Sequence, residues 1–220
     1  MRQLVPLGDQ AALAYFDNEE AALGFAAAVR SAAFDWLADV VQAYASVAVY
    51  FDLAQISFHS VAQELQAAQT PATGQEWSAS GKHHVIPCCY ELGPDLERVA
   101  QIQELSTEEV IRLHTTQEYT VYAIGFCPGF PYLGYLPVKL TGVPRLATPR
   151  VRVEEGAVGL TGRQTGIYTQ PRPGGWNLIG RTPLQLVDVA DGYFPLRTGD
   201  GVRFQRVDQA EFQRLWRQRL

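Results

Sequence analysis

The apolar stretches 3–7 and 12–16 flank Gly8-Asp9 and predict two short strands joined at a turn. Asn18 is a suitable N-cap for the run that follows, and alanine, leucine and glutamate supply helix propensity over residues 19–33. Valine and tyrosine at near-alternate positions in 40–44 and 46–51 predict a strand pair, and residues 60–68 (SVAQELQAA) a second, amphipathic helix. Together these elements predict a small α+β layer of one sheet and two helices.

Periodicity stops at TPATGQEWSASGK, residues 70–82, whose Thr, Ser, Gly and Pro content reads as a linker. Two domains are therefore expected, over 1–75 and 83–220. In the second, residues 84–90 predict a strand and Gly93-Pro94-Asp95 the start of a short helix to about residue 101. Ser106 and Glu109 match a capping box that launches another helix to about residue 113. Beyond Tyr119 the chain reads as short β segments broken by glycine and proline, at 120–124, 158–161, 167–170, 177–180, 185–189 and 202–207. That pattern predicts a barrel or a sandwich, closed by a helix over 208–219.

One segment fits neither period. GFCPGFPYLG, residues 125–134, has prolines that exclude an ordinary helix and lacks the alternation of a half-buried strand. It reads as a stiff loop studded with rings.

Composition narrows the function classes. A net charge of −5 opposes nucleic-acid binding, which needs a concentrated basic surface. The arginines at 214, 217 and 219 fit a solvated helix face. No apolar run approaches the roughly 20 residues of a membrane span, and the N-terminal residues show no secretory signal, so a cytoplasmic setting is expected. Three cysteines without a framework spacing fit a reduced compartment.

Generic motifs for phosphate loops, zinc proteases and paired cysteines are absent, and no metal site is evident. Cys88 and Cys89, adjacent on a predicted strand, point to opposite faces and read as buried, inert thiols. Cys127 would need a base or a positive field to act as a nucleophile. His114, in the last turn of a helix, either complements the helix dipole or moves protons near neutral pH. Arg145, Arg150, Arg152 and Arg181 lie near prolines, where a guanidinium either stays solvated or grips a carboxylate or phosphate with its fork. In GLTGRQTGIYTQPRPGGWNLIGRTP, residues 159–183, Gln164, Thr165, Tyr168, Trp176 and Asn177 are interleaved with glycines. Such a segment suits a small-molecule pocket or a tightly turned barrel.

GFCPGFPYLGYLP (125–137), PRLATPR (144–150) and GLTGRQTGIYTQPRPGGWNLIGRTPL (159–184) together resemble the family of 5-oxoprolinase B subunits. That family includes the Kip kinase-inhibitor-like proteins and allophanate hydrolase subunit 1. LGDQAAL (7–13), GPDLERVA (93–100) and STEEVIRLHTTQEYTV (106–121) extend the resemblance nearly end to end. It implies an α+β protein with a small ferredoxin-like α+β N-terminal domain followed by a cyclophilin-like β-barrel C-terminal domain. It also implies an ATP-dependent activity, exercised with an A and a carboxyltransferase-like C subunit, that hydrolyses 5-oxoproline to glutamate. ATP would be bound with or by one of these partners, and the chain alone would be inactive.

On this resemblance Arg150 or Arg181 would clamp the substrate carboxylate, with Gln164, Thr165, Tyr168 and Trp176 as further substrate contacts. His114 would shuttle a proton, while Asp95 would orient a neighbour or cap its helix. Phe126, Pro128, Phe130 and Tyr132 would wall a groove, and Gly129 would let a ligand or partner approach. The chain departs from the family pattern at Val153-Glu154-Glu155-Gly156-Ala157-Val158, where V-P-A-G-S-V is common, and at Tyr168-Thr169, where Tyr-Pro is usual. Two alternatives stand beside the enzyme: an inhibitor of a sensor histidine kinase, and a component of urea or allophanate metabolism.

Overall fold

The computed structural model describes residues 1–68 and 81–220, so most of the expected linker, 70–82, lies outside the described residues. The chain divides into two compact units, Met1–Ser80 and Gly81–Leu220.

In the first unit, β1 (Gln3–Pro6), β2 (Ala11–Tyr15), β3 (Leu37–Ala43) and β4 (Ser46–Phe51) form an antiparallel sheet ordered β1-β2-β4-β3. Helix α1 (Glu19–Ala32) crosses from β2 to β3 and packs on β3 and β4, while α2 (Phe58–Ala67) packs on β2. Asn18 caps α1 by accepting from the Ala21 N–H at 2.9 Å. The buried face gathers Phe16, Phe25, Val29, Trp36, Val49, Val61 and Leu65 into one core.

The second unit contains β5 (His83–Cys88), α3 (Leu96–Ile102), α4 (Thr107–Thr116), β6 (Glu118–Ile124) and β7 (Pro131–Gly134). These are followed by β8 (Arg150–Val153), β9 (Ala157–Thr161), β10 (Gln164–Ile167), β11 (Arg172–Gly174), β12 (Asn177–Arg181), β13 (Gly201–Arg206) and α5 (Gln209–Arg214). One ladder runs β5-β13-β6-β7-β10-β9-β12, antiparallel except for the parallel β5–β13 pair. β8 and β11 form a separate ribbon. Among the described residues the strands do not close a barrel; the ladder's two edges meet there at an isolated bridge, where Cys89 and Arg181 exchange backbone hydrogen bonds of 2.8 and 3.0 Å. The architecture is thus mixed α and β with antiparallel sheets.

Several elements differ from expectation. The second half of GFCPGFPYLG is not loop but strand β7, paired with β6 and β10. Pro131 is tolerated because it is the strand's first residue. Residues 185–189 form only isolated bridges, Gln185 with Arg219 and Asp188 with Tyr193. The closing helix stops at Arg214, where the chain turns so that the Arg217 N–H donates to the Pro183 carbonyl.

Candidate active site

Beneath the ladder, α4 delivers His114 into the core. Its capping box is complete, with Ser106 and Glu109 each satisfying the other's backbone N–H. About two helical turns beyond the cap, His114 faces inward against Phe204 (4.5 Å between ring centroids) and Tyr119 (5.3 Å). The imidazole is wholly buried. Tyr90 Oη lies 2.6 Å from Nδ1, and Thr165 Oγ1 lies 3.1 Å from Nε2. Thr165 donates its only hydroxyl hydrogen to the Gly159 carbonyl at 2.9 Å, so it accepts from His114. Nε2 therefore carries the proton, and Nδ1 accepts from the Tyr90 hydroxyl. Desolvation lowers the imidazole pKa from 6.5 to about 3, so it is neutral at pH 7. A side chain with no exposed surface and both ring nitrogens bonded does not reach a ligand. His114 and Thr165 tie α4, β9, β10 and the turn at Tyr90 together instead of acting as shuttle and substrate contact.

The opposite face of the ladder carries the rings. In register, Tyr132 on β7 pairs with Gly166 on β10, which pairs with Gly159 on β9. A Cβ on Gly166 would lie 2.8 Å from the Pro131 carbonyl oxygen and 3.0 Å from the Phe130 ring, and one on Gly159 would lie 3.2 Å from Trp176 Cβ. Glycine at 166 is thus required for close approach, not for turning, and a side chain at 159 would crowd Trp176. Over this floor Phe130 meets Tyr132, Tyr168 and Trp176 edge to face at 4.9, 5.3 and 5.5 Å, a favourable quadrupole arrangement. Phe126, with φ at +66°, lies edge-on to Phe130 and Tyr168 and is 58% exposed. Burial raises the pKa of both the Tyr132 and the Tyr168 phenols, so each keeps its proton.

A charged rim borders the rings. Asp95 sits at the N-cap position of α3 but makes no side-chain cap. Its carboxylate accepts from Arg150 Nη2 at 2.7 Å and from the Leu178 N–H at 2.7 Å, so it orients a neighbour; the capping role is not realised. Arg150 also reaches the Trp176 carbonyl at 3.5 Å. Asn177 accepts from Arg98 Nε at 3.1 Å and donates to the Pro144 carbonyl at 2.9 Å. Local pattern does not point to Arg98, and it offers Arg145 and Asn177 as candidates without placing them, because their positions depend on contacts between distant segments.

Arg181 lies apart from this rim. Its Nε donates to the Glu155 carbonyl at 3.0 Å, and its guanidinium lies 5.1 Å over the Trp216 ring. Gln164, part-exposed on β10, is at the far end of the strand from Tyr168. Gly129 does not open the wall to a ligand: its φ is +70°, and a Cβ would lie 2.3 Å from Val187 Cγ2 of the same chain. Pro128 is exposed, and its carbonyl accepts from Thr169 Oγ1 at 2.7 Å. The threonine that replaces the usual proline thus fastens the ring-bearing loop. Glu154 and Glu155 pair with Arg152 and Arg217 at 2.6 and 3.3 Å, which matches the charge they add with arginines outside the rim.

Among the described residues no group of three or more His, Cys, Asp or Glu side chains is placed to hold a metal ion. The three thiols are free and buried, and burial pushes those of Cys88 and Cys89 up. No helix of the described residues is long and apolar enough to cross a membrane. The ring cluster is itself mostly buried, with Phe130 and Tyr168 2% and Trp176 5% exposed; what it offers a ligand is its outer edge, the exposed Phe126 and the half-buried Tyr132, bordered by guanidinium groups. Such a surface suits a small planar molecule bearing an anionic group.

The family model described as "Carboxyltransferase domain, subdomain C and D" matches residues 2–194. The B subunit of 5-oxoprolinase from Bacillus subtilis (strain 168) is 36% identical over 229 aligned positions, covering 96% of this chain and 95% of that protein. The corresponding 5-oxoprolinase B subunit of Escherichia coli O157:H7 is 53% identical over 113 positions, about half of each chain. Among solved structures, TTHA0988 superposes with a TM-score of 0.79 at 35% identity, over 90% of this chain and 40% of that one. The chain thus spans about two-fifths of the length of TTHA0988.

Proposed function

We infer that this chain, which belongs to the carboxyltransferase subdomain C and D family and to its 5-oxoprolinase B-subunit members, is the B subunit of an ATP-dependent 5-oxoprolinase. It acts with the A and C subunits to hydrolyse 5-oxoproline to L-glutamate. The observation that carries this reading is the 36% identity that spans both this chain and its Bacillus subtilis relative almost completely.

The reaction adds water across the ring amide: hydroxyl to the carbonyl carbon, hydrogen to the nitrogen, with cleavage of the C–N bond. Amide resonance makes this step slow, and ATP hydrolysis drives it. We place ATP with or on a partner protein of the complex, and we expect this chain to be inactive alone and cytoplasmic. Its own contribution is to bind and orient the lactam. The ring would lie against the outer edge of the aromatic cluster, at the exposed Phe126 and the half-buried Tyr132, which the buried Phe130, Tyr168 and Trp176 support. Arg150, fixed by Asp95, would shape the charged border. Fixing a ligand's orientation in this way lowers the entropic part of the barrier.

We further read the N-terminal unit, with β4 between β2 and β3, as ferredoxin-like over 1–75. The C-terminal unit, over 83–220, we read as a cyclophilin-like barrel whose ladder closes through the Cys89–Arg181 bridge.

Genetic complementation tests the assignment. A bacterium lacking its own B subunit of 5-oxoprolinase should accumulate 5-oxoproline, and expression of this chain should clear it. Persistent accumulation, with the chain soluble and bound to the host's A and C subunits, would contradict the reading.

A further inference from the structure

We propose that Arg145, with the Tyr132 hydroxyl, is the carboxylate-recognition pair of the aromatic face, and that Arg150 is not. The ligand's identity rests on the oxoprolinase reading; the location of the anion site rests on the arrangement of groups.

Arg150 is already committed: Asp95 takes one of its nitrogens at 2.7 Å and holds a compensating charge against it. An incoming carboxylate there would compete with an aspartate that is itself only 6% exposed and also anchored to the Leu178 N–H. Arg181 is engaged by the Glu155 carbonyl and the Trp216 ring. Arg145 differs from both. Its guanidinium is exposed and makes no ion pair or hydrogen bond among the described residues. Its backbone is nevertheless held on both sides: the Pro144 carbonyl accepts from Asn177 Nδ2 at 2.9 Å, and the Leu146 N–H donates to the Gly175 carbonyl at 2.8 Å. Both anchors belong to the segment that carries Trp176, so the loop is pinned beside the rings.

The second unpartnered group is the Tyr132 hydroxyl. The ring is half-buried between Phe130 and Trp176 (4.9 and 5.9 Å), yet its hydroxyl has no hydrogen-bond partner among the described residues. The Arg145 charge acts on both the Tyr132 and the Tyr168 phenols, opposing the larger effect of burial, as expected for a side chain carried on a loop pinned beside Trp176. An exposed cation without an anion, near a half-buried phenol without an acceptor, is complementary to a carboxylate on a ring lying against Tyr132 and the exposed Phe126 at the outer edge of the cluster.

The test is a titration of the full chain with 5-oxoproline, followed by the indole ¹H–¹⁵N signal of Trp176, together with 5-oxoproline hydrolysis by the complex with the A and C subunits. Losing a charge-assisted contact should weaken binding of 5-oxoproline to Arg145→Gln at least about tenfold. Arg145→Lys should retain most of the affinity. The same ring without its carboxylate, 2-pyrrolidinone, should bind weakly and equally to the parent and to Arg145→Gln. In the complex, Arg145→Gln should raise KM and leave kcat nearly unchanged.

An unresponsive Trp176 signal in the parent chain, or an Arg145→Gln variant with parental affinity and KM, would overturn the site and leave the oxoprolinase reading standing. Arg145-dependent binding in a chain whose assembled complex hydrolyses no 5-oxoproline would keep the site and remove the reaction.

Discussion

Lowering the pH should destabilise this protein through one imidazole. His114 is neutral in the fold because burial holds its pKa at about 3, against 6.5 when solvated. A depressed base binds fewer protons folded than unfolded, so its contribution to stability is complete above about pH 6.5 and is lost as pH falls from there towards about 3. At about 1.4 kcal/mol per pH unit, moving from about pH 7.5 to about pH 5 should cost ~2 kcal/mol from this group alone. Urea denaturation at the two pH values reads the total loss. The share of His114 is isolated by the double variant Tyr90→Phe/His114→Phe, which removes the titrating group and the hydroxyl it would otherwise strand, while Thr165 keeps the Gly159 carbonyl. The variant's stability should fall by ~2 kcal/mol less over the same interval. The parent chain alone also decides the matter: its native His114 ring signal should not titrate above about pH 5. A native titration near 6.5, or equal pH dependence in parent and variant, would refute the assignment of a neutral, core-bonded imidazole.

Other perturbations follow from the same geometry. Asp95→Ala strands Arg150 and the Leu178 N–H; because the Arg150 side chain is 29% exposed and partly rehydrates, the cost should be ~2–3 kcal/mol by thermal or chemical unfolding, below that of a fully buried broken pair. Gly129→Ala forces a Cβ within 2.3 Å of Val187 Cγ2 at a φ of +70°, whereas Gly8→Ala, with φ +66° and open space, meets strain alone. The first should therefore cost ~2–3 kcal/mol and the second ~1 kcal/mol. Ser106→Ala removes half of the capping box and should lower stability by ~1 kcal/mol, with Ser106→Asp restoring most of it.

Local chemistry was legible where the determining contacts lie within a few residues. Asn18, Ser106 and Glu109 act within their own helix turns, so their caps follow from the sequence. Strand β7 was not legible, because its pairing with β6 and β10 is decided by partners far along the chain and its glycines and prolines imitate a loop. The stretch 185–189 failed in the opposite sense: it is apolar enough for a strand, but Val187 fills the space beside Gly129 instead of pairing. At the site, the aromatic residues of the ring-studded segment were identified as a wall, and the structure brings them together with Tyr168 and Trp176. Which arginine is free for a ligand depends on tertiary pairing with Asp95, Glu155 and Trp216, and spacing carries no trace of it. His114 shows the same limit: a histidine at a helix end reads alike whether it faces solvent or Tyr90.

The most direct test of function is reconstitution. This chain, purified in complex with the A and C subunits, should release glutamate from 5-oxoproline with ATP consumed in step, and omission of the chain or of ATP should abolish the release. An assembled, folded complex that forms no glutamate, or one whose activity persists without this chain, would contradict its assignment as the B subunit of a 5-oxoprolinase.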